Sequence, residues 1–167
     1  MLNEKIFNFL NSFVGKNPIF DGFIIFSARY LVILLLAFCL TLLFKISKKA
    51  IITFLLSLIL ALLASQLLRF FLPLDRPFVG REVNLLFYPS QDPSFPSNHA
   101  VWAGVSAFSL FLYQKKAGIL AILMAILIGS ARIFAGLHWP TDILAGLLLG
   151  LLASFAGKEI LDLLELT

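Results

Sequence analysis

"AIITFLLSLILALLASQLLRFF", residues 50–71, decides the fold class. A helix needs about 20 mostly apolar residues to cross the hydrocarbon of a bilayer. This run has that length, with Arg69 as its only charge. The whole chain has the same character. Of its 167 residues, 60% are hydrophobic and only 13% are charged, whereas a soluble domain is about a quarter charged. A domain this small has too much surface for its volume to hide that excess. The expectation is a single all-α unit over residues 1–167, a polytopic membrane helix bundle.

Five stretches fit a span. They run from about Ile19 to Phe44 (interrupted by Arg29), Ala50 to about Phe71, about Asn98 to Tyr113, about Ala117 to Phe134 and about Thr141 to Leu163. The third is short unless it begins inside the preceding Pro-Ser-Asn-His turn. Residues 3–14, "NEKIFNFLNSFV", mix polar and apolar positions at rough helical spacing and read as an interfacial amphipathic helix. Asn17-Pro18 reads as a cap and first-turn proline opening the first span. No signal peptide is evident, and the single Cys39 permits no disulfide within the chain.

Lysines orient the bundle. Lys45, Lys48 and Lys49 mark the first link and Lys115 and Lys116 the third, so both links are expected on the cytoplasmic side. The long loop 72–97, the short loop 135–140 and the N-terminal helix then share the extracytoplasmic face. The net charge of +4 suits anionic headgroups, and no basic-aromatic surface for nucleic acid is present. Trp102 and Trp139 suit interface anchoring, with Trp139 also able to wall a pocket. Glycine spacings such as Gly146 to Gly150 favour close helix packing.

That same face collects costly charges, and ionisable groups at membrane depth are candidate functional sites. Three patterns occur there. They are "RFFLPLDRP" with Arg69 and Arg76, "PSNH" from Pro96 to His99, and "RIFAGLHWPTD" with Arg132, His138 and Asp142. Arginine presents a planar fork of donors matched to phosphate oxygens. Three arginines around one pocket repel unless an anion sits among them. The Pro-Ser-Asn turn leads into a helix N-terminus, where free N–H groups and the helix dipole favour an anion, and Ser97 adds a hydroxyl donor. Asp142, in the first turn of the last span, can hydrogen-bond one ring nitrogen of His138 and leave the other as a nucleophile. His99 can protonate the leaving oxygen. A metal site is the competing reading of two His and one Asp, and the ring of cations argues against it.

These patterns resemble the signature of the type 2 phosphatidic acid phosphatase superfamily: Lys-x6-Arg-Pro, Pro-Ser-Gly-His and Ser-Arg-x5-His-x3-Asp. Residues 69–142 carry the match, and both histidines of the chain fall on motif positions. The resemblance implies His138 as nucleophile through a phosphohistidine, Asp142 as its orienter and His99 as general acid. It implies Arg69, Arg76, Ser97, Asn98 and Arg132 at the phosphate, with no metal or other cofactor. There are three departures. Arg69 stands for lysine, Asn98 for glycine (Asn being tolerant of the left-handed conformation), and Ala131 for the serine before Arg132.

The stretch "RPFVGREVNLLFYPSQDPSFPSNHA" is similar to the bacitracin-resistance type of undecaprenyl-diphosphate phosphatase. This second resemblance implies a lipid-phosphate substrate, most simply undecaprenyl diphosphate, met at the outer face of a bacterial plasma membrane. The alternatives are a phosphatidylglycerophosphate, phosphatidate or lipid A 1-phosphate phosphatase, a lipid phosphotransferase, or a non-catalytic anion transporter. Arg81 reads as a solvated loop charge, or as a contact for the second phosphate of a diphosphate. Arg29, about ten residues into the first span, can snorkel, pair with Asp21 or Glu82, or line the substrate entrance. Asp75 and Glu82 are expected to face outward or pair with arginine. The sequence sets no oligomeric state.

Overall fold

The structure is a computed structural model that describes residues 2–88 and 92–165, the side chain of Glu165 excepted. Pro89, Ser90 and Gln91 of the long loop lie outside the described residues. Seven helices follow in chain order: α1 (Leu2–Asn11), α2 (Pro18–Arg29), α3 (Leu31–Ile46), α4 (Lys48–Phe71), α5 (Asn98–Tyr113), α6 (Lys115–Phe134) and α7 (Pro140–Glu165). Helix occupies all five predicted spans, and no strand occurs among the described residues.

Two of those spans depart from a simple rod. α4, α6 and α7 are each long and apolar enough to cross a bilayer, whereas the first predicted span is two helices bent by 47° at Tyr30. α5 has 16 residues, about 24 Å of helix, and falls short of a full crossing. It lies at the centre, packed against α3, α4, α6 and α7, so protein rather than lipid covers most of its length. Its small side chains make this possible: Ala100, Ala103, Gly104, Ser106 and Ala107 are all buried. α7 supplies the matching surface. A Cβ on Gly150 would stand 2.5 Å from the Val105 amide nitrogen, and one on Gly146 would stand 2.7 Å from Ala100 Cβ. The predicted glycine spacing therefore lets α7 lie directly against α5.

The two ends of the bundle differ. At one end Asp162 of α7 meets Lys49 at 2.8 Å and Lys158 at 2.5 Å. At the other end the C-termini of α4 and α6 meet the N-termini of α5 and α7, under α1, α2 and the loop 72–97. α1 is fastened there. Phe7 is buried among Ala100, Ile133 and Ile143, and the Asn11 amide donates to Asn84 O and Phe134 O, each at 2.9 Å. Its opposite face exposes Leu2 and Phe9, as an interfacial helix requires. Asn17 caps α2 as predicted, its side chain accepting from Ile19 N at 2.9 Å and Phe20 N at 3.2 Å.

Candidate active site

Local backbone chemistry delivers His138. Ala135 caps α6, and Gly136 follows with φ of 81°. Leu137 N then donates to Arg132 O at 3.1 Å and Gly136 N to Ile133 O at 3.0 Å. These are the two bonds of a Schellman ending, whose left-handed residue is usually glycine. The chain reverses within three residues, and Pro140 opens α7. The Asp142 carboxylate reaches back to accept from Trp139 N at 2.8 Å. One short turn thus fixes Arg132, His138 and Asp142 relative to one another.

The His138 ring is buried, and its partners fix its tautomer. Nδ1 lies 3.1 Å from the Ser94 carbonyl oxygen and 3.4 Å from Asp142 Oδ2. Nε2 lies 3.3 Å from Arg76 Nη1 and 3.3 Å from Arg132 Nη2. Arginine only donates, so Nε2 carries the lone pair and the Nδ1 proton goes to Ser94 O. Burial, then the charges of Arg132, Arg76 and Arg69, hold the imidazole pKa well below its usual value. The ring is neutral at physiological pH.

Ser94 was not singled out from the sequence. Its carbonyl accepts from His138, and its hydroxyl donates to Asp142 Oδ2. Asp142 therefore orients the histidine less directly than the spacing implied, with Ser94 between them. Asp92 was also missed. Its carboxylate bridges two predicted phosphate ligands, with Oδ2 2.6 Å from Arg69 Nη1 and Oδ1 2.8 Å from Arg76 Nη2. Arg69 also donates to Pro93 O and Pro96 O, and Arg76 to Asp92 O. Burial pulls the Arg76 guanidinium below its usual pKa, and Asp92 opposes that shift. No sequence signal marked Ser94 or Asp92, because both depend on how the loop 72–97 folds back over the helix ends.

Arg69, Arg76, Asn98, His99, Arg132 and His138 line one cavity of about 170 Å³, together with Asp92 and Trp102. Both histidines thus face the same space. The His99 ring stacks on Trp102 with centroids 6.4 Å apart. Ser97 is buried beside the cavity, and among the described residues its hydroxyl has no hydrogen-bond partner; neither do Arg69 Nε, Arg132 Nε and Asp142 Oδ1.

Several expectations need correction. Asn98 is the first residue of α5, and no non-glycine residue among those described has positive φ; its side chain instead accepts from Ser65 Oγ at 3.2 Å. Ala131, where the resemblance expects serine, lies in an apolar cluster with Ile24 and Ala28 of α2. Arg81 does not reach the cavity: it pairs with Glu4 of α1 and lies over the Trp139 ring at 5.2 Å. Of the two readings of Arg81, the structure shows an exposed loop arginine paired with Glu4 and absent from the cavity lining. Asp75 and Glu82 are exposed, as expected. Arg29 pairs with neither Asp21 nor Glu82. The break at Tyr30 brings it to a cavity it shares with His99 and Arg132, and its guanidinium lies 4.5 Å from the Phe87 ring centroid.

Residues 50–162 match the family model described as the PAP2 superfamily. Relatives match over nearly the whole chain. An undecaprenyl-diphosphatase of Sulfolobus acidocaldarius is 30% identical, covering 95% of this chain and 78% of the relative. Undecaprenyl-diphosphatase BcrC of Bacillus subtilis is 26% identical, covering 98% of this chain and 86% of the relative. The crystal structure of Aquifex aeolicus LpxE superimposes with a TM-score of 0.78 at 30% identity, covering 95% of this chain and 96% of that one. The family match takes in every helix that carries a residue of the cavity around His138, and it accords with the apolar spans and the paired histidines: this chain belongs to the PAP2 superfamily, as a multi-pass membrane lipid phosphatase.

Proposed function

We propose that the chain removes the terminal phosphate of undecaprenyl diphosphate through a phosphohistidine at His138, on the extracytoplasmic face of a bacterial plasma membrane. The observation that carries this reading is the His138 Nε2 lone pair, held at the cavity between Arg76 Nη1 and Arg132 Nη2 at 3.3 Å each. Nε2 attacks phosphorus while the arginines hold phosphoryl oxygens. His99 protonates the leaving oxygen, then takes a proton from the water that hydrolyses the N–P bond. The donors Ser97 Oγ, Arg69 Nε and Arg132 Nε, which find no partner among the described residues, support an oxyanion ligand, since a buried donor without an acceptor costs about 1–3 kcal/mol. The lysines at the far end, including Lys49 and Lys158, support a cytoplasmic placement of that end.

The substrate follows from the relatives' names and from the position of the site, where lipid chains stay in the bilayer while the headgroup enters. The test is phosphate release in detergent with a metal chelator present. The panel is undecaprenyl diphosphate, phosphatidate, phosphatidylglycerophosphate and lipid A, with His138→Ala as blank. Fastest turnover of undecaprenyl diphosphate is expected. Preference for another member of the panel overturns the substrate, and a demand for an added acceptor makes the enzyme a transferase.

A further inference from the structure

The catalytic cavity shares lining residues with two others, and those two differ in charge. Arg76 and Asp92 also line a space of about 550 Å³ that contains Asp75. His99 and Arg132 also line a space of about 360 Å³ that contains Arg29, Tyr30, Ile33 and Phe87. The first carries two carboxylates. The second carries two guanidiniums and, among the described residues, no carboxylate.

In-line displacement decides which of these receives the leaving group. The departing oxygen lies opposite the attacking Nε2 of His138 and within reach of the general acid. With His99 as that acid, the leaving group enters the space that His99 and Arg132 share with Arg29. The Arg29 side chain makes no hydrogen bond or ion pair among the described residues; its guanidinium rests against Phe87. Arg132 Nη1 donates to Ala28 O at 3.2 Å, which ties α6 to the residue before Arg29. At the outer lip, Tyr30 and Ile33 are 50% and 59% exposed on the flank of the bundle, where a lipid chain would run.

We propose that Arg29, with Arg132, binds the second, lipid-attached phosphate of a diphosphate substrate, and so selects lipid diphosphates over lipid monophosphates. The inference rests on the phosphohistidine reading of His138 and His99. Nε2 of His138 bonds to the terminal phosphorus, and the bond to the bridging oxygen breaks. That oxygen keeps the electron pair and takes the His99 proton, giving a lipid monophosphate whose charge Arg29 meets. Water then releases orthophosphate from His138.

The test uses a chain-matched pair, farnesyl diphosphate and farnesyl monophosphate, with the full-length wild type, Arg29→Gln and Arg29→Lys in detergent. Arg29→Gln is expected to lower kcat/KM for the diphosphate about 10–100-fold, the value of a charge-assisted contact. The monophosphate should change less than about 3-fold, which also reports that the variant is folded, and Arg29→Lys should recover part of the loss. Unchanged diphosphate turnover in Arg29→Gln makes the arginine a headgroup anchor and overturns the subsite. So does an equal loss on both substrates in both variants. Wild type inert toward the diphosphate overturns the subsite together with the substrate reading, whereas unselective variants of an active wild type overturn the subsite alone.

Discussion

His138 Nδ1 lies closer to the carbonyl oxygen of Ser94, at 3.1 Å, than to the carboxylate of Asp142, at 3.4 Å. The backbone of the loop before α5, rather than a side chain, is the nearest acceptor for the imidazole proton. The carboxylate is bound in turn to Ser94 Oγ and Trp139 N. The orienting unit is therefore a triangle of His138, Ser94 and Asp142.

Asp142→Asn should reduce kcat by less than the roughly 10⁴-fold cost of losing the orienting carboxylate in a Ser-His-Asp triad, because Ser94 O still holds the tautomer. Ser94→Ala keeps that carbonyl and removes the hydroxyl donor to Asp142. It should lower stability by about 1–3 kcal/mol and reduce kcat less than Asp142→Asn does. Steady-state kinetics and thermal melts of both variants check the order.

Acid should weaken the fold through His138. Its folded pKa lies well below the usual value, so below pH about 6.5 the unfolded chain binds a proton that the native chain refuses. This contribution is complete above pH about 6.5 and is lost as pH falls toward the folded pKa. Melting temperature in detergent should drop between pH 7.5 and 5, and drop less in His138→Gln. An equal drop in both proteins contradicts the assignment.

Asp92 occupies arginine donors that a phosphate also needs, at 2.6 Å from Arg69 and 2.8 Å from Arg76. Asp92→Asn removes that internal anion. Inhibition by orthophosphate should tighten by about 10-fold, equivalent to about 1.4 kcal/mol. Weaker inhibition in the variant shows instead that Asp92 is needed to hold the two arginines in place.

The contact between α5 and α7 depends on glycine. Gly150→Ala sets a Cβ 2.5 Å from Val105 N and should cost about 1–3 kcal/mol by overpacking, with lower activity because α5 carries His99 and α7 carries Asp142. Gly22→Ala in α2 meets nothing within 4 Å and should stabilise by up to about 1 kcal/mol. Thermal melts of the pair check this contrast.

The helices and most of the cavity lining were legible in the sequence, because long apolar runs and fixed spacings are local properties. Gly136, with its positive φ, and Pro140, which opens α7, mark the turn that joins Arg132, His138 and Asp142. What escaped was set by the long loop, whose fold depends on contacts far along the chain. Ser94 and Asp92 gained their partners that way, and Arg81 was claimed by Glu4 from a helix 77 residues earlier. Arg29 was read as lying deep in a span because nothing local announced the 47° break beside it.

The central claim is that His138 takes the phosphoryl group, and rapid quench with substrate labelled in its terminal phosphate tests it most directly. His99→Asn should slow breakdown of the intermediate and accumulate acid-labile, base-stable label on the protein. The same label should be absent when His138→Ala is added. Label that survives the loss of His138, or full turnover by His138→Ala, contradicts the account.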